Sequence, residues 1–84
     1  MPVLSRFYGI IIRMYFQQHE HNPPHIHAIY GEHVAAIDIL TQKVLEGYLP
    51  RKALELVREW MVLHKEDLMK IWETQDFISL PPLE

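Results

Sequence analysis

The chain has 84 residues, of which 49% are hydrophobic and 23% charged, with a formal net charge of −3 and six histidines. Those figures fit one small folded domain and exclude a disordered tail or a broadly basic, phosphate-coating protein. Cysteine is absent, which excludes disulfide scaffolds and thiolate metal sites and fits a reducing compartment.

In chain order, the opening Met1-Pro2-Val3-Leu4-Ser5-Arg6 lacks a basic region followed by a long apolar stretch. No signal peptide is expected, and Ile10-Ile11-Ile12 is too short to span a bilayer. A cytoplasmic protein without a membrane segment is the expectation. Arg6, Phe7 and Tyr8 read either as a stacking and phosphate-contacting arm or as a leading segment tucked against the sheet.

Gly9 to Phe16 is rich in Ile, Met, Tyr and Phe, as a buried strand is. Ile10, Ile12, Met14 and Phe16 form one row; Ile11, Arg13 and Tyr15 form the other. Gln17 to Pro24 is polar and ends in two prolines, which predicts a loop finishing in extended geometry. His25 to Tyr30 and His33 to Ile39 read as strands joined by a tight Gly31-Glu32 turn, where Gly31 supplies a positive φ. Leu40-Thr41-Gln42 is a turn with no glycine or asparagine to fix its type. Val44 to Leu49 gives a fourth strand, in which Gly47 marks a bulge or a close approach by the helix.

Pro50 suits the first helical position. From Arg51 the hydrophobic period changes from two to 3.6, with Leu54, Val57, Met61, Leu68 and Ile71 on one stripe and Trp60, His64 and Trp72 along its borders. Arg51/Glu55 and Glu66/Lys70 are opposite charges four residues apart. Residues 73–84 form an extended tail whose Phe77, Ile78, Leu80 and Leu83 need cover from the domain or a partner. The expectation is one α+β domain over residues 1–84: a four-stranded antiparallel meander (9–49, with the His-rich loop 17–24) packed against one long C-terminal helix (50–72), ββββα. Cover for the second sheet face is thin, which leaves a surface for binding and allows a homodimer.

Chemistry concentrates at His19, His21, His25 and His27. On a strand, residues two apart share a face, so His25 and His27 project side by side with Cα atoms about 6.5–7 Å apart. Pro23-Pro24 stiffens the approach of His21. Three imidazoles are a ligand set for zinc or another divalent transition metal, with Glu20, Glu32 or His19 completing or orienting the shell. Without metal, the same rings can serve as general base and acid, with Arg6 or Arg13 stabilising a phosphate-like anion and Tyr15 positioning it. Small toxin ribonucleases use such constellations, so RNA is a candidate substrate. The structural alternative is that His25 or His27 hydrogen-bonds loop carbonyls exposed by prolines that lack N–H groups.

The residues Ser5-Arg6-Phe7-Tyr8-Gly9-Ile10, Met14-Tyr15, His21-Asn22-Pro23-Pro24-His25-Ile26-His27, Tyr30-Gly31, Leu49-Pro50-Arg51, Ala53-Leu54 and Val57-Arg58-Glu59-Trp60 together resemble a family of small bacterial proteins, domain-of-unknown-function family 4160. The resemblance runs to about Trp72. It implies no established activity and no settled catalytic residues. It does imply a genetic setting similar to toxin–antitoxin pairs, with a neighbouring gene for a second small domain, family 2442. Ile26 stands where the family more often has Phe. Gln17, Gln18 and His19 depart from its acidic or Asn-rich loop, which removes support for His19 and leaves His21, His25 and His27 inside the matching stretch. The reading that results is a component of a two-gene module acting through a protein partner. The alternatives are a histidine-dependent hydrolase or nuclease using His21, His25, His27, Arg13 and Tyr15, and a metal-binding accessory domain holding its ion with the three histidines.

Overall fold

A computed structural model describes residues 3–14 and 23–83. The sheet has five strands in sequential antiparallel order: β1 (Val3–Phe7), β2 (Ile10–Arg13), β3 (His25–Tyr30), β4 (His33–Asp38) and β5 (Val44–Gly47). Two helices follow, α1 (Arg51–Leu63) and α2 (Lys65–Thr74). The α+β class and the meander stand as expected. The expected four strands and single long helix are corrected to five and two.

The additional strand is β1, disguised in sequence by its turn. Phe7 pairs with Ile10, so only Tyr8 and Gly9 connect β1 to β2, at φ 50° and 79°. A two-residue hairpin with positive φ at both positions suits the twist of the strands but ordinarily selects Asn-Gly or Gly-Gly. A tyrosine there is uncommon and hides the turn. Gly31, at φ 60°, makes the β3–β4 hairpin where expected, with Tyr30 paired to His33.

The β4–β5 turn is fixed by Asp38. One carboxylate oxygen accepts the backbone N–H groups of Leu40 (2.7 Å) and Thr41 (3.0 Å), and the Gln42 N–H donates to the Asp38 carbonyl. Gln42 takes φ 64°, and α1 holds it there because Arg58 Nε donates to its carbonyl at 3.0 Å. Gly47 does mark a close approach, by β4 rather than by a helix. A Cβ at this position, φ 83°, would overlap the carbonyl oxygen of Val34.

The helix breaks at His64, whose ψ of 18° departs from helical values while its N–H contacts the carbonyls of both Trp60 and Met61. The apolar stripe stays in phase across the break: Ala53, Val57, Trp60 and Met61 in α1 continue as Leu68 and Ile71 in α2. Periodicity therefore could not show the interruption. Glu66 and Asp67 lie in the first turn of α2, where the helix dipole favours negative charge. Pro50, expected as the first helical residue, is the N-cap, with ψ 148°.

All of this covers one sheet face. Ile10, Ile12, Met14, Ile26, Ala28, Ala35, Ile37 and Ile39 meet the helical stripe in one core. Trp60, fully buried, donates its indole N–H to the Pro81 carbonyl at 2.8 Å, and the Leu80 N–H donates to the Leu4 carbonyl at 2.7 Å. The tail thus packs on its own domain, burying Leu80 beside β1 and Leu83 in the core. Among the described residues, no helix is long and apolar enough to cross a membrane.

Candidate functional site

Side chains that alternate away from the core lie on the opposite sheet face, and register sets their neighbours. Arg13 on β2 stands opposite His27 on β3, His27 opposite Ala36 on β4, and Ala36 opposite Glu46 on β5. One row therefore crosses four strands as Arg13–His27–Ala36–Glu46. Directly opposed residues have Cβ atoms about 4.5–5.5 Å apart, so each is in reach of the next. The neighbouring row is apolar: Ile11, Ile29 and Val34, with Arg6 opposite Ile11 on β1.

The expected pairing of His25 and His27 holds. Their ring centroids are 5.1 Å apart in an edge-to-face arrangement. His25 also meets Trp72 of α2, at 5.2 Å between centroids. Trp72, read from the sequence as a border residue of the helical stripe, is thus a wall of the histidine site. His25 Nδ1 lies 2.9 Å from the Pro23 carbonyl oxygen. Because a carbonyl only accepts, Nδ1 carries the proton, and in the neutral ring Nε2 is the acceptor. The carbonyl contact anticipated for a proline-flanked histidine is therefore present at His25, and it orients the ring without occupying its second nitrogen.

His27 is held below the ordinary imidazole range. Burial is the main cause, the neighbouring His25 adds to it, and Glu46 opposes both. His27 accordingly favours the neutral form near pH 7. The small side chain of Ala36 leaves two shallow hollows beside Glu46. One, of about 290 Å³, is lined by His27, Val34, Ala36, Glu46 and Gly47. The other, of about 220 Å³, is lined by Pro23, His25, Ala36, Leu45 and Glu46.

Of the predicted site residues, His25, His27 and Arg13 are brought together; His21 and Tyr15 lie outside the described residues. Among the described residues, no group of three or more His, Cys, Asp or Glu side chains is placed to hold a metal ion. His64 stacks on Trp60 (5.0 Å) and lies 3.9 Å from an Asp67 carboxylate oxygen, a local helix role. His33 is an exposed hairpin residue, as expected, with its ring against Tyr48. Sequence reasoning missed Glu46 and Ala36. Their place depends on the β4–β5 register, which shifts between Ala36 and Ile37; Gly47 marks an irregularity in this strand but not which residue it sets opposite Ala36.

These features define a class: a small α+β domain with one helix-covered sheet face and one open face bearing an Arg–His–Glu row. The chain belongs to the family described as Domain of unknown function (DUF4160), which it matches over residues 9–73. No curated protein and no solved structure matches it.

Proposed function

We propose that this protein works by contacting a protein partner, the product of the adjacent gene in a toxin–antitoxin-like two-gene module, and that the contact lies on the open sheet face. The observation that carries this reading is the apolar row Ile11–Ile29–Val34, left without cover by the other described elements, since α1 and the tail pack on the other face and α2 reaches this side at Trp72, beside His25. Val34, Leu45 and Tyr48 add exposed apolar surface toward the β5 edge. A contiguous apolar surface rimmed by polar groups is the signature of an interaction site.

The test is co-expression with the adjacent gene and capture of either product. Wild type brings its neighbour with it; Val34→Asp or Ile29→Asp loses it, whereas Glu73→Lys on the helical side does not. Failure of wild type to retain the neighbour overturns the reading.

A second reading, a histidine-dependent hydrolase or nuclease, draws on a separate observation. His25 has its tautomer fixed by the Pro23 carbonyl, and a neutral His27 stands between it and Arg13. An oriented imidazole base beside a neutral ring and a guanidinium is a workable set for moving a proton and steadying an oxyanion. Toxicity on expression and cleavage of total RNA, abolished in a His25→Ala/His27→Ala variant, would favour it. Metal content of untagged protein, compared with His25→Ala, tests the accessory-domain alternative; content that does not change removes it.

A further inference from the structure

We infer that the Arg13–His27 step of the open face is a carboxylate-binding subsite, built to take an aspartate or glutamate side chain that a partner presents between apolar residues. This rests on the partner-contact reading and specifies the chemistry of what is bound.

The first observation is an uncommitted guanidinium. Arg13 is half-buried, and its Nε is enclosed yet has no hydrogen-bond partner among the described residues. The ion pairs present there, Arg51–Glu55 and His64–Asp67, involve neither Arg13 nor the open face. An enclosed N–H of a charged group without an acceptor is unfavourable, and a ligand oxygen removes that penalty. The planar fork of arginine matches a carboxylate in two parallel hydrogen bonds.

The second observation is the charge layout across the strands. Arg6 on β1, Arg13 on β2, and His25 and His27 on β3 occupy one half of the face. The acids lie toward the other half. Glu46 is on β5, separated from His27 by Ala36, and Asp38 on β4, opposite His25, already has one carboxylate oxygen committed to two turn N–H groups. An incoming carboxylate is therefore steered to the β1–β3 side, where the Arg13 Nε–H has no acceptor among the described residues and the His27 ring stands directly opposite it.

The third observation separates a protein acid from a nucleic acid. The row adjoining Arg13 and His27 is Ile11–Ile29–Val34, and the chain carries a net charge of −3. A phosphate backbone seeks several cations in sequence. An apolar row with the Arg6 and Arg13 guanidiniums at one end, and no longer run of cations among the described residues, suits an acidic side chain flanked by aliphatic ones.

The probe is a capped Leu-Asp-Leu-Ile peptide, with its Leu-Asn-Leu-Ile counterpart and a uridine octanucleotide as comparisons. Each is titrated into the full chain while the Arg13 Nε–H and His27 ring signals are followed by NMR. The Asp peptide should shift both sets saturably, and the Asn peptide should bind at least about tenfold more weakly, as loss of a charge-assisted pair implies. Arg13→Gln should lose the difference between the peptides, and Arg13→Lys, which keeps charge without the fork, should retain part of it. If Arg13→Gln does not fold, the two peptides on wild type decide alone. Equal shifts with both peptides, or none with either, overturn the subsite, as do shifts produced by the oligonucleotide and not by the Asp peptide. Because the peptide stands in for the partner, such a result leaves the partner contact itself to the co-purification test.

Discussion

The two faces of the sheet are made from the same strands and do opposite work. On the helix side, Ile12, Ile26 and Ile37 are wholly buried against Val57, Trp60 and Leu68. On the other side, Ile11 and Ile29 are half-buried and Val34 is 44% exposed. The period-two alternation of each strand therefore supplies apolar groups to both faces, but among the described residues only one is covered. A domain this small has little stability to spare. Aliphatic and ionisable residues left together on such a face contribute little to the fold, and the proposed partner contact would give them a role.

Substitutions matched across the sheet sharpen that contrast. The largest loss is expected for Trp60→Ala, which removes a fully buried aromatic and its hydrogen bond to the tail. About 3–5 kcal/mol is the usual cost, enough to leave much of the protein unfolded by urea titration. Gly47→Ala should follow, at about 1–3 kcal/mol for a side chain forced into left-handed backbone, and more because the Cβ meets the Val34 carbonyl. Hydrogen exchange should show β5 loosening before the rest of the sheet. Asp38→Ala strips the acceptor from Leu40 and Thr41 and should cost about 1–2 kcal/mol, with Asp38→Asn recovering most of it. Ile29→Ala, on the open face, should cost about 1 kcal/mol or less. A loss there matching that of Trp60→Ala would break the contrast and make the open face part of the core.

Much of this was legible from residue pattern alone. Strands β3 and β4 could be read because Gly31 marks their turn, and α1 because its stripe is strong. The side-by-side placement of His25 and His27 follows from the two-residue repeat of a strand. Three features were not legible, each for a local reason. Strand β1 was hidden because Tyr8 occupies a turn conformation normally left to Gly or Asn. The break at His64 was hidden because the stripe resumes in phase and no Gly or Pro marks it. The approach of Glu46 to His27 was hidden because a register shift, set by long-range pairing, decides which β5 residue shares the row. The neighbours of Arg13 became readable only once β2 was paired with β3; the sequence placed Arg13 beside the histidines on the condition of that pairing.

The smallest effect is also the one most specific to the open face. His27 titrates below the usual imidazole range because burial disfavours its charged form, with His25 reinforcing this and Glu46 opposing it. In the unfolded chain its pKa returns to about 6.5, so between the two values the unfolded state binds more protons and stability rises with pH. The contribution is complete above about pH 6.5 and is lost as pH falls through the lower, folded value. The charged groups that set this balance are His25, on the same strand, and Glu46 on β5, while Arg13 on β2 and Asp38 on β4 also face this part of the sheet. Urea midpoints at pH 7.5 and 5.5 should therefore differ for wild type, and differ less for His27→Gln, which has no proton to gain. In Glu46→Gln the opposing charge is gone, so the acid-side loss should grow. If a bound carboxylate occupies the Arg13–His27 step, it must favour protonated His27 and reduce the acid-side loss. The same pair of midpoints, measured with and without the Asp peptide, therefore reports whether the open face binds anions through this histidine.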